Sequence, residues 1–173
     1  MKRRALALGV TVGAAAVAAG IGAAWWRYRP EEGPLPAGFW DLRFERPEGG
    51  ELALAALRGK PMLLNFWATW CPPCVTELPL LDQFHREHGG RGWQVVGLAV
   101  DSPTPVREFL RQRPLAFAIG LAGLDGVELG RSLGNAAGGL PFTIVLDSAG
   151  AARARKLGAL KPADLAGWSA AIS

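Results

Sequence analysis

The chain has two cysteines, Cys71 and Cys74, inside the stretch FWATWCPPCVTELP that runs from Phe66 to Pro79. Two thiols at this spacing could bind a metal, staple the chain or exchange electrons. Read with the histidines, Cys71, Cys74, His85 and His88 form C-x2-C-x10-H-x2-H, close to a short zinc finger. Zinc needs four ligands within about 2.0–2.3 Å. If Cys74 and His85 share one helix, their separation holds them about 16 Å apart at about 1.5 Å per residue. A kink at Pro79 bends such a helix without folding it back. The histidines therefore read as polar residues near a helix C-terminus, where cations are favoured, and no metal ligand set is assigned. A purely structural disulfide would close a loop of a few residues, the kind that stabilises least. Half the chain is apolar, enough for a core without such a staple.

Electron exchange fits the residue types better. The sequence puts Cys71 at the N-cap of a helix that follows a buried strand. There its thiolate faces the positive end of the helix dipole, which lowers a cysteine pKa. Cys74, one turn in, would be shielded and would resolve a mixed disulfide. Pro72 suits the first helical position, where a missing N–H costs nothing. Pro72 and Pro73 together remove two donors that could stabilise the Cys71 thiolate, and no basic residue or histidine lies between the cysteines. A less stabilised dithiol means a more reducing couple, so the pattern points to a reductant rather than an oxidant.

The elements that must position this pair are legible from periodicity. PMLLNFWA (Pro61 to Ala68), WQVVGLAV (Trp93 to Val100) and PFTIVLD (Pro141 to Asp147) are continuous apolar runs, as expected of strands covered on both faces. ARARKLGAL reads as the hairpin partner of the third run, and a weaker strand precedes DGVELGRSLG. Helices are expected over CVTELPLLDQFHREHGG, with Leu78, Leu81 and Phe84 at helical spacing, over TPVREFLRQR, over DGVELGRSLG up to Gly134, and over KPADLAGWSAAI. LRFERPEGGELAL reads as a leading hairpin around a Gly-Gly turn. Strands alternating with helices predict an α/β layered domain with a mixed central sheet flanked by helices.

The first thirty residues are different in kind. Lys2, Arg3, Arg4, Arg27 and Arg29 carry five of the nineteen basic charges, and no acid precedes Glu31. That leaves fourteen basic and fifteen acidic residues after position 30, a near-neutral body without the basic face that nucleic acid requires. Residues 5 to 26 carry no charge and are long enough to cross a bilayer, with Trp25 and Trp26 where an interfacial belt would sit. The sequence predicts an N-terminal transmembrane anchor over residues 1–26, a Pro/Gly-rich linker over 27–38 and a catalytic domain over 39–173. The basic cluster at Lys2 to Arg4 would stay cytoplasmic, putting the domain on the outer side. A secretory signal cleaved near Ala16 to Ala18 is the rival reading, and it exports the domain as well.

NFWATWCPPC, the later GGLPFTIVLD and the strand–helix order resemble the thioredoxin fold. More narrowly they resemble the TlpA/ResA/CcmG-like membrane-anchored thiol-disulfide oxidoreductases. By that resemblance Cys71 is the attacking, solvent-facing cysteine and Cys74 the buried resolving one. Pro141 is the family's cis-proline beside the disulfide, and Leu140 offers its backbone to substrate. Asn65 stands where thioredoxins proper carry a buried proton-handling aspartate. Glu77 matches the acidic residue of the family's CxxCxxE arrangement and would take over that task, its pKa raised by an apolar pocket. Trp70, with Pro72 and Pro73, would shape the docking surface, while Trp67 belongs to the core. The resemblance implies a redox-active disulfide with no other cofactor and a place on the periplasmic side of the cytoplasmic membrane. It implies substrates such as apocytochrome c or copper-site proteins, and recharging by a membrane-embedded thiol-reductase donor. Two rivals share parts of the pattern. A peroxiredoxin-like peroxidase would place its cysteine in P-x-x-x-T-x-x-C, not after a tryptophan. A copper-binding assembly factor would use C-x-x-x-C and a distant histidine, and no histidine follows His88.

Overall fold

The computed structural model describes residues 34–172. The expected anchor and most of the expected linker lie outside the described residues. Among the described residues no helix is long and apolar enough to cross a membrane.

Seven strands form one mixed sheet: β1 (Arg43–Glu45), β2 (Glu51–Ala53), β3 (Met62–Trp67), β4 (Gln94–Ala99), β5 (Ala118–Leu121), β6 (Phe142–Leu146) and β7 (Ala152–Leu157). Their spatial order is β2-β1-β5-β4-β3-β6-β7. Among the described residues four α-helices accompany them: α1 (Pro72–His88), α2 (Pro103–Gln112), α3 (Asp125–Ser132) and α4 (Pro162–Ala171). The succession of strands and helices is the one the apolar periodicity predicts. The leading hairpin is present too. β1 and β2 pair antiparallel, and Gly49 and Gly50 make the turn with φ of 97° and 81°, values open to glycine.

Residue alternation explains why the central strand reads as one continuous apolar run. Along β3, Leu63 and Trp67 join one core cluster and Met62, Leu64 and Phe66 the other. The first cluster lies under α1, α2 and α4 through Leu78, Leu81, Phe84, Val106 and Leu165. The second lies under α3, through Val127 and Leu129, and under the N-terminal segments, through Phe39, Leu52 and Leu54. Helices thus cover both faces, so every β3 side chain is buried. Within the stretch read as a linker, Leu35 is half-buried against the second cluster and the Phe39 N–H donates to Pro36 O at 3.1 Å.

β3, β4 and β5 run parallel, with Trp67, Ala99 and Leu121 level with one another. Their C-terminal ends therefore open on the same edge of the sheet, and so do the turns that follow them. β6 runs the other way and starts at that edge, Phe142 lying opposite Phe66. Four separate connections converge there without any long-range loop.

Gly97, in the middle of β4, is a close-packing requirement of this arrangement. A Cβ there would lie 2.8 Å from Ile119 Cδ1, 3.1 Å from Phe117 Cε2 and 3.1 Å from Trp67 Nε1. All three neighbours are buried core side chains with nowhere to retreat. Gly97→Ala is expected to cost about 1–3 kcal/mol by overpacking, read as a lower urea midpoint at unchanged slope. An unchanged midpoint would show that the layer between β4 and Phe117 is looser than these distances imply.

Candidate active site

The site begins where β3 ends. After Trp67 the chain leaves the sheet, turns through Ala68–Trp70 and enters α1. The Cys71 N–H donates to Ala68 O at 3.3 Å, which fixes this turn. Cys71 is the N-cap of α1, with φ −102° and ψ 99°, and Pro72 takes the first helical position. The Cys71 Sγ accepts a hydrogen bond from the Cys74 N–H at 3.3 Å. With Pro72 and Pro73 lacking N–H groups, that donor is the first one the helix offers. A sulfur replaces the usual capping oxygen, and it sits at the positive end of the helix dipole.

Cys71 and Cys74 are joined in a disulfide. Cys74 is fully buried, whereas Cys71 keeps 5 % of its surface. Against the expectation of a solvent-facing Cys71, both cysteines are buried, Cys71 the less completely. The disulfide ties its sulfur to Cys74, and both residues belong to the first core cluster. The surroundings widen the accessible surface: Trp70 is 65 % exposed, and Pro72 and Pro73 are exposed.

The Leu140–Pro141 peptide is cis, and Pro141 is buried at the start of β6. Its carbonyl accepts from Gly158 N at 2.8 Å. Leu140 is half-buried and packs against both core clusters. Register thus brings Leu140, Pro141 and the Cys71 turn to one edge. Trp67 is in the core, its ring 5.4 Å from that of Phe109. His85 and His88 lie at the far end of α1, where His88 stacks on Phe84 with centroids 4.4 Å apart.

Below Cys74 lies a buried polar group of three. Glu77, one turn along α1, is 3 % exposed. Its Oε1 accepts from Asn65 Nδ2 at 2.7 Å and its Oε2 from Leu160 N at 2.6 Å. Asn65 Nδ2 also donates to Thr143 Oγ1 at 3.0 Å. Burial pushes the Glu77 pKa up, opposed by the Leu160 N–H, the Asn65 amide and the charge of Lys156. The Asn65 Oδ1 is buried without a partner. Turned over, the same amide would present that oxygen to the O–H of protonated Glu77, so the pocket can serve both protonation states. Thr143 and Leu160 escaped the sequence reading. Thr143 is level with Asn65 in the β3–β6 register, so strand pairing alone would have found it. Leu160 contributes only its backbone, which no side-chain pattern reveals.

A further contact ties the turn down from the neighbouring strand. Asp101, just past β4, accepts through Oδ2 from Thr69 N at 3.0 Å and from Thr69 Oγ1 at 2.5 Å. Its Oδ1 accepts from Ser102 N at 2.7 Å. Asp101 and Thr69 are thirty-two positions apart, and nothing in the sequence links them.

The Redoxin family model matches residues 37–172. The chain belongs to the Redoxin family. Among curated proteins it is similar to the thiol-disulfide oxidoreductase ResA of Bacillus thuringiensis, 31% identical over 104 residues, covering 60% of this chain and 58% of that protein. The chain spans about half the length of the curated relatives it matches. Among solved structures it is similar to a thiol:disulfide interchange protein DsbE from Chlorobium tepidum, at 25% identity and a TM-score of 0.66, over 82% of this chain and 93% of that one. A secreted Mycobacterium tuberculosis disulfide oxidoreductase matches at 25% identity and a TM-score of 0.62, over 77% of this chain and 97% of that one. The redoxin domain is therefore a TlpA/ResA/CcmG-like member of the thioredoxin superfamily, with the thioredoxin-like fold its motif implied.

The raised Glu77 pKa has a measurable consequence. A carboxyl that binds its proton more tightly when folded contributes stability below its ordinary pKa and loses it as pH rises through the raised value. Glu77→Gln keeps an oxygen for Leu160 and can use the idle Asn65 Oδ1. Its stability relative to the parent is therefore expected to improve steadily as pH rises from the usual carboxyl range toward neutrality, read by urea unfolding of the oxidised protein. A difference independent of pH would show that Glu77 titrates normally.

Proposed function

We propose that the protein is an extracytoplasmic thiol-disulfide oxidoreductase that reduces disulfides in exported proteins. The observation that carries this is the Cys71–Cys74 pair itself: an N-cap sulfur beside the exposed Trp70, Pro72 and Pro73, joined to a fully buried partner one turn inside the helix. The redoxin family and the disulfide chemistry in its relatives' names support the reading.

The reductive half-cycle follows from the positions. With the pair open, the Cys71 thiolate attacks one sulfur of a substrate disulfide. A bond forms between Cys71 Sγ and that sulfur, and the other substrate sulfur leaves as a thiolate and takes a proton. Cys74 gives its proton to the carboxylate of Glu77 and attacks Cys71 Sγ. The second substrate sulfur leaves, and Cys71–Cys74 closes. Two electrons have passed from the protein dithiol to the substrate. A dithiol partner must then reopen the pair, and the role fits a membrane-embedded donor of the thiol-reductase type. No cofactor beyond the disulfide is required.

In this reading Cys71, Cys74 and Glu77 do the chemistry. Pro141 and Leu140 receive an extended substrate segment, and Trp70, Pro72 and Pro73 border it. Residues 1–26 act as a single-pass anchor in the cytoplasmic membrane, residues 27–38 as a linker, and residues 39–173 as the catalytic domain on the periplasmic side. A relative described as secreted is consistent with that placement. Apocytochrome c before haem attachment, or a copper-site protein with a disulfide to open, has the chemistry the site would use.

Reduction of insulin disulfides by the pre-reduced protein tests the chemistry. Cys71→Ser is expected to fall to the uncatalysed rate. Cys74→Ser should retain the first step and accumulate a mixed disulfide, isolable from cells with its substrate attached. Equal inertness of both thiols to alkylation in the reduced protein would sink the proposal.

A further inference from the structure

The Thr69–Asp101 contact does more than brace a turn. Asp101 follows β4, which pairs in parallel with β3, so its carboxylate comes up beside the end of β3. It takes three hydrogen bonds, two from Thr69 and one from the Ser102 N–H. Every one of these donors is neutral, and no Lys or Arg among the described residues pairs with Asp101. The charge is solvated by dipoles but not cancelled. Thr69 lies two residues before Cys71, and consecutive Cα atoms are about 3.8 Å apart, which keeps the carboxylate within about 14 Å of the Cys71 sulfur.

We infer that Asp101 is a positioning residue whose negative charge biases the Cys71–Cys74 couple toward the disulfide, making the protein a stronger reductant. The inference rests on the oxidoreductase reading above. Reduction of the pair adds two electrons and two protons, and the outer sulfur then spends part of its time as a thiolate. A fixed negative charge nearby raises the free energy of that thiolate and leaves the neutral disulfide unaffected. The dithiol is destabilised, so it gives up its electrons more readily to a substrate disulfide. At this range, across a half-buried turn, one charge changes the exchange constant by about three- to fivefold where the thiolate predominates. The same carboxylate grips both the N–H and the hydroxyl of Thr69, which holds the Ala68–Trp70 turn and keeps Cys71 at its cap position.

Charge and grip can be separated. Equilibration of the full chain with a glutathione redox buffer, in detergent, gives the exchange constant. Asp101→Asn keeps the size and one acceptor oxygen for Thr69 but removes the charge. At a pH where the outer thiol is ionised, it is expected to shift the equilibrium toward the dithiol by about three- to fivefold, fivefold being about 20 mV toward a weaker reductant. Thr69→Val removes a hydroxyl donor while keeping the charge, and is expected to stay within about twofold of the parent. Should Asp101→Asn fail to fold, Asp101→Ser, also neutral and an acceptor, carries the same expectation. An exchange constant unmoved by the neutral variants, or moved equally by Thr69→Val, overturns the inference. A parent pair that never equilibrates with glutathione sinks the oxidoreductase reading, and this inference with it.

Discussion

One hydrogen bond organises the site: the Cys74 N–H donating to the Cys71 sulfur across the first turn of α1. It makes a reactive atom into a helix cap. The helix must therefore start at Cys71 and not a residue earlier or later. That start is set from behind by β3, whose six residues are all buried, and from within by Pro72, whose fixed φ and missing N–H suit the first helical position. A shift of one residue along β3 would carry Asn65 to the opposite face and leave its partners Glu77 and Thr143 buried without it. The polar group thus locks the register that the cap needs.

The same group shows why a carboxyl is tolerated in this interior. A buried charge without partners costs several kcal/mol. Glu77 is held by an amide, a backbone N–H and the more distant charge of Lys156, yet burial still outweighs them and the carboxyl keeps its proton more tightly than usual. A group poised in this way is suited to take a proton from a neighbouring thiol and return it later. An aspartate at position 65 would start from the strand and reach the same space with a shorter side chain. Here the strand supplies a neutral amide, and the helix supplies the acid. The division puts the titrating group on the same element as Cys74, so the two move together.

Most of the fold was legible because the strands are either buried on both faces or bounded by glycine turns, and both patterns survive in a single sequence. The cysteine roles followed from helix-start chemistry, and the family motif supplied Pro141 and Glu77. What stayed hidden was tertiary. The depth of Cys71 depends on how the closed disulfide packs against the core. Thr143 needs strand pairing, Leu160 acts through its backbone, and Asp101 needs the parallel neighbour of β3. Each depends on which strand lies next to which, and apolar periodicity does not encode neighbours.

Those hidden contacts change how the prolines should be weighed. Taken alone, Pro72 and Pro73 weaken thiolate stabilisation by omission: two N–H groups that could point at Cys71 are missing. The helix dipole and the Cys74 N–H act in the opposite sense. From sequence, the balance between a present dipole and two absent donors has no clear sign. Asp101 adds a term of definite sign, because a carboxylate fixed by neutral donors two residues before the cysteine can only disfavour a second negative charge. The missing N–H donors and this contact from the neighbouring strand then act in the same direction, against the dipole. The proposed reductase role needs a sulfur ionised enough to attack, yet a dithiol unstable enough to give its electrons away. In that reading the cap supplies the first property, and the missing proline donors together with the inferred effect of Asp101 supply the second.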